Sequence, residues 1–73
     1  MKTHIRLREL REEHGLSQTQ VAQLLHTSQT VYSRYERNER NLPIDYLYEL
    51  CQFYHVSADY ILGLPQGLPY PKR

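Results

Sequence analysis

Apolar residues recur every three or four positions along most of this chain, and each recurrence is bounded by residues suited to start or stop a helix. Leu7 and Leu10 give residues 5–14 an inner side and leave Arg6, Arg8, Glu9, Glu12 and Glu13 mostly in water. Arg8 and Glu12 stand one turn apart, offsetting the repulsion between Glu9 and Glu13. Gly15 supplies a left-handed stop, after which Leu16 folds back onto the core. Ser17 and Gln20 form an S-x-x-Q capping box, so a second helix opens at Gln18 with Val21, Ala22 and Leu25 on one face. His26 and Thr27 interrupt that face. Ser28 caps a third helix from about Gln29 to Arg37, in which Val31, Tyr32 and Tyr35 pack inward and Gln29, Thr30, Ser33 and Arg34 point away.

Farther along, Asn38 is a left-handed stop within a polar connector, and Pro43 fixes the start of a fourth helix because its missing amide hydrogen would be unpaired there anyway. Asp45 in the first turn suits the helix dipole. Ile44, Leu47, Leu50, Cys51 and Tyr54 form a clear helical stripe that His55 and Val56 close. Ser57 caps a short fifth helix running to about Leu62, with Ile61 inward and Gly63 ending it. No segment alternates with period two for long enough to make a strand. The pattern predicts an all-α fold, a compact five-helix bundle over residues 1–63, followed by a proline-rich, extended tail over 64–73.

A 73-residue chain buries a modest core, worth no more than about 3–5 kcal/mol net, so self-association would help it. Cys51 is the only cysteine, which excludes an intramolecular disulfide and a thiolate metal centre. His4, His14, His26 and His55 lie far apart, and neither a metal nor any other cofactor is expected. No nucleophile, base and orienting group can be assigned, so the chain does not read as an enzyme. The start, MKTHIRLREL, is too polar for a signal peptide and no later run approaches spanning length; a cytoplasmic protein with no membrane association and no small-molecule ligand is expected. Net charge is only +1, yet residues 1–40 hold seven Lys or Arg against five Asp or Glu, while residues 41–73 hold two against three. The slight basic bias falls on the half of the chain that holds the two capped central helices.

Taken together, Leu10-Arg11, Gly15-Leu16-Ser17-Gln18, Val21-Ala22, Leu25, Ser28, Ser33-Arg34-Tyr35-Glu36-Arg37, Arg40-Asn41, Leu47 through Leu50, Val56-Ser57 and Asp59 to Gly63 resemble the Cro and lambda-repressor-like helix-turn-helix regulators, the XRE type. The resemblance runs over residues 5–63 in one ungapped register. It implies a DNA-binding domain whose third helix enters the major groove, usually as a homodimer on a palindromic double-stranded operator. By position, it assigns base contacts to Gln29, Thr30, Ser33 and Arg34. Contacts to the DNA backbone fall to Gln18, Ser28, Arg40 and Asn41. It makes Arg11 and Glu36 a structural pair between helices one and three. Two departures stand out: the reading face of the third helix carries one basic residue, Arg34, and the family commonly has glycine at the positions of His26 and Asn38. Of these, asparagine tolerates a left-handed backbone better than histidine does.

The chemistry of the third helix agrees with that reading. A glutamine amide can give and accept one hydrogen bond each at adenine N6 and N7, and arginine can fork onto guanine O6 and N7. Phosphate contacts carry no sequence information but set register. The same polar residues could instead be solvated surface. Tyr35, Tyr54 and Tyr60 are assigned to the core; Tyr46, Tyr48, Phe53 and Tyr70 exceed what one bundle buries, and are either half-wet surface or a dimer face built from helices four and five with the proline-rich tail. The competing functional class is a protein-interaction adaptor or antitoxin-like partner that keeps the fold.

Overall fold

The computed structural model describes residues 2–64, which form five α-helices and no strand: α1 Thr3–Glu13, α2 Gln18–Leu24, α3 Gln29–Glu36, α4 Ile44–Tyr54 and α5 Ala58–Leu62. The tail expected over 64–73 lies, apart from Leu64, outside the described residues, and so does Tyr70. Three of the helices open on serine. The Ser17 hydroxyl accepts from the Gln20 amide at 3.1 Å while the Gln20 side chain accepts from the Ser17 amide at 2.8 Å, completing the capping box. Ser28 accepts from the Val31 amide at 3.1 Å and Ser57 from the Tyr60 amide at 3.2 Å. Pro43 sits one position earlier than expected, as the extended N-cap of α4.

All five helices end the same way. A left-handed residue, Gly15, His26, Asn38, His55 or Gly63, stands just past each helix. The amide after it then returns to a carbonyl five residues back: Leu16 to Arg11, Thr27 to Ala22, Glu39 to Arg34, Val56 to Cys51 and Leu64 to Asp59. His26 and His55 take φ values of 57° in a region where a Cβ is disfavoured by roughly 1–2 kcal/mol. The left-handed stop at His55 was not apparent in the sequence. Two boundaries also shift: α1 begins at Thr3 and ends at Glu13, two residues and one residue earlier than the apolar spacing implied, and α3 ends at Glu36 with Arg37 as its cap.

The core is Leu7 and Leu10 of α1, Val21 and Ala22 of α2, Leu25, Tyr32 and Tyr35 of α3, Leu50 and Tyr54 of α4, and Ile61 of α5. Leu7, Val21, Leu50 and Ile61 are fully buried, each worth roughly 1.5–3 kcal/mol of transfer free energy. α3 packs on both α2 and α1, α1 also on α5, and α5 on α4. Three expectations about facing are corrected. Ile44 carries the α4 stripe past the reach of the core and is 78% exposed. Tyr60 is 38% exposed, its ring covered instead by the Arg6 guanidinium at 4.7 Å. Ser33 is buried, because α3 is gripped from two sides and hides a wider arc than its apolar residues alone would fill.

Candidate nucleic-acid interface

Glu36 is the acidic residue that α3 buries, its side chain only 3% exposed. Burying a carboxylate is costly unless it is paired and hydrogen-bonded, and here it is both. Arg11 reaches it as a fork, Nε to Oε2 at 2.7 Å and Nη2 to Oε1 at 3.0 Å. The third guanidinium nitrogen, Nη1, donates to the Leu16 carbonyl at 3.0 Å, so one side chain ties α1, α3 and the turn before α2 together. The pair implied by the resemblance is thus formed. Burial pushes the Glu36 carboxyl up, but hydrogen bonds from Arg11 and Gln18, together with the Tyr32 phenol and the arginine charge, outweigh it and hold the carboxyl below its ordinary value. The Arg11 guanidinium is raised in turn, chiefly by its hydrogen bond to Glu36. Burial also raises the phenols packed around the pair, Tyr32 far above its usual range and Tyr54 to about 12.

From Glu36 the polar contacts run outward. The Gln18 side-chain amide donates from Nε2 to Glu36 Oε1 at 3.1 Å, and the Gln29 side chain donates from its own Nε2 to Gln18 Oε1 at 2.7 Å. Gln18 and Gln29 are the first residues of α2 and α3, each directly after a serine cap. Four side chains therefore form one chain from the interior to the surface, ending at the exposed start of α3.

Of the expected base-contact residues, Gln29 and Thr30 are exposed and Arg34 is half-buried, with no ion pair among the described residues. Ser33 does not share their face; its hydroxyl donates to the Thr30 carbonyl at 2.9 Å. Of the expected backbone-contact residues, Ser28 is exposed and its oxygen is occupied by the Val31 amide, which leaves the hydroxyl hydrogen to give. Gln18 is half-buried and keeps one Nε2 hydrogen outside the two bonds described. Arg40 and Asn41 are exposed in the connector after α3, where with Thr3 and His4 they line a cavity of about 90 Å³. The sequence reading missed the bond between Gln18 and Gln29, eleven residues apart. The repeated Ser-Gln-Thr at positions 17–19 and 28–30 was its one available signal, since it places two identical amides at matching first positions of adjacent helices.

A family model described as Helix-turn-helix matches residues 7–61. The chain is 42% identical over 67 residues to the uncharacterized HTH-type transcriptional regulator YobD of Bacillus subtilis, covering 92% of this chain and 59% of that protein. It is 40% identical over 58 residues to the HTH-type transcriptional regulator ImmR of the same organism, covering 80% of this chain and 46% of that one. Among solved structures, a transcriptional regulator from Listeria innocua superposes with a TM-score of 0.84 at 29% identity, over 94% of this chain and 64% of that chain. The chain thus spans about half the length of the curated relatives it matches. The match over residues 7–61, together with these relatives and the buried bracing of α3, means that the chain belongs to the XRE-type helix-turn-helix family.

Proposed function

We propose that this chain is the sequence-specific, double-stranded DNA-binding part of a cytoplasmic transcriptional regulator, a repressor that acts by occupying its operator. In this reading α3 enters the major groove. Gln29, Thr30 and Arg34 meet base edges, while Gln18, Ser28, Arg40 and Asn41 hold the flanking phosphates. The observation that carries it is the exposed Gln29 amide at the leading end of α3, oriented by Gln18 and anchored through Glu36 and Arg11 to the core. Ordering a flexible glutamine in advance lowers the entropic cost of a specific contact, a use that solvated surface does not require.

A homodimer on a palindromic operator fits the same geometry. Ile44 and Tyr48 are 78% and 63% exposed on α4, and with Leu47, Cys51, Val56 and Ala58 they line an apolar groove that includes no residue of α2 or α3. Covering such a groove with a second copy would supply burial that a domain of this size lacks. Selection of bound sites from a random duplex pool, combined with a solution mass measurement, tests the reading. The expected result is a two-fold symmetric site with half-site centres about 34 Å apart. An unordered pool after selection would contradict it.

A further inference from the structure

The polar chain from Arg11 to Gln29 has a direction. A side-chain amide normally has little to choose between its two orientations, because exchanging O and N costs almost nothing sterically. Here the choice is imposed from inside. The Glu36 carboxylate is ionised beside Arg11 and can only accept, so Gln18 must turn its NH₂ toward it. That turns the Gln18 oxygen toward α3, where it too can only accept. Gln29 must then turn its own NH₂ inward, at 2.7 Å. What remains free on Gln29 is the oxygen and one N–H.

We propose that Glu36 is a specificity-determining residue that never touches DNA: through Gln18 it fixes the polarity of the Gln29 amide and so selects which base edge that amide can read. This rests on the reading of Gln29 as a base contact. Adenine offers an N6 donor and an N7 acceptor side by side, the complement of one free oxygen and one free N–H. Guanine offers two acceptors, O6 and N7, and would need both N–H groups of the amide. Gln18 holds one of those, so guanine meets an oxygen facing an oxygen.

The relay also explains why a carboxylate is buried there when an apolar residue would fill the space. An apolar residue at position 36 with a matching partner at position 11 would support packing equally well. It would leave Gln18 and Gln29 free to flip.

The test uses the duplex obtained by site selection and a set of duplexes with single base-pair changes, with relative affinities read by competition. Wild type is expected to prefer A·T over G·C by about fivefold or more at the pair read by Gln29. Gln29→Ala is expected to erase that preference; if it persists, the assignment of Gln29 is wrong and the relay has nothing to act on. Where Gln29→Ala does erase it, Gln18→Met and Glu36→Gln are expected to cut the preference at least threefold. Glu36→Gln is expected to leave affinity for random duplex within twofold, because Glu36 does not face DNA. Gln18→Met also loses a phosphate contact and is expected to weaken every duplex alike, so its effect on the relay is read from the A·T preference alone. Glu36→Gln leaves Arg11 without its carboxylate. Circular dichroism determines whether that variant is folded, and if it is not, Gln18→Met at its half-buried position decides the matter. In the free protein, the Gln29 side-chain NH₂ resonances should move toward values of an unconstrained amide in Gln18→Met. An A·T preference unchanged in Gln18→Met, alongside its loss in Gln29→Ala, overturns the relay and leaves the DNA-reading assignment standing.

Discussion

Gln29 and Gln18, the first residues of α3 and α2, share a 2.7 Å hydrogen bond from the Gln29 amide to the Gln18 oxygen. It joins the two helices at the corner where they would straddle a DNA backbone, and it restrains a side chain that would otherwise sample several rotamers. Gln29→Ala is therefore expected to cost about 1–3 kcal/mol on the selected duplex and to leave binding to random duplex nearly unchanged. Anisotropy titrations against both duplexes measure the difference. Equal loss on both would assign Gln29 to phosphate or to packing.

Arg40 is exposed and makes no ion pair among the described residues, so its charge is available to a polyanion. Replacing it with alanine is expected to weaken specific and random duplex alike. The slope of log affinity against log salt should fall by about one, as one phosphate fewer releases its counterion. A slope equal to that of wild type would remove Arg40 from the interface.

The Arg11–Glu36 pair predicts how stability depends on pH. Glu36 titrates below its unfolded value of 4.5, so the stability it contributes is present above that pH and is lost as pH falls through the lower, folded value. Tyr54 titrates higher in the fold than in the unfolded chain, about 12 against 10.0. Its contribution is present below pH 10 and is lost as pH rises between those two values. Denaturant melts across pH should show both limbs. Arg11→Met leaves a buried carboxylate unpaired and is expected to cost about 3–5 kcal/mol, close to the whole stability of a domain this small. It should also abolish the acid limb, because Glu36 would no longer titrate low.

How much of this was legible in the sequence follows the range of the interactions concerned. The serine caps act over three residues, and Ser17, Ser28 and Ser57 were each placed correctly from neighbours alone. Helix ends were readable where glycine or asparagine marked them; His55 carries the same left-handed backbone with a side chain that gives no such sign. Ser33 was misfaced because the buried arc of α3 depends on both α1 and α2, and periodicity along one helix cannot count its neighbours. Ile44 was misplaced for the complementary reason, since a stripe gives direction but not how far the core extends. The Gln18–Gln29–Glu36 chain joins positions 11 and 18 residues apart and emerges only once the turn is folded.

The histidines in left-handed positions offer a direct check of that account. His26 and His55 are exposed, so their side chains contribute little packing and their backbone strain should dominate. His26→Gly and His55→Gly are each expected to stabilise the fold by about 0.5–1 kcal/mol, the left-handed penalty less the extra entropy of glycine in the unfolded chain. Thermal melts at one pH measure this; a fall in Tm for both would mean the rings hold contacts that outweigh the strain.

Specific recognition depends on α3 presenting a rigid, outward-facing reading surface to DNA, and binding of the unaltered protein to its selected duplex, titrated with salt beside a random duplex, tests this most directly. The predicted result is that both affinities fall steeply with salt while the selected duplex stays tighter by about a thousandfold or more. Equal affinity for the two duplexes, or no binding to either at low salt, would contradict it.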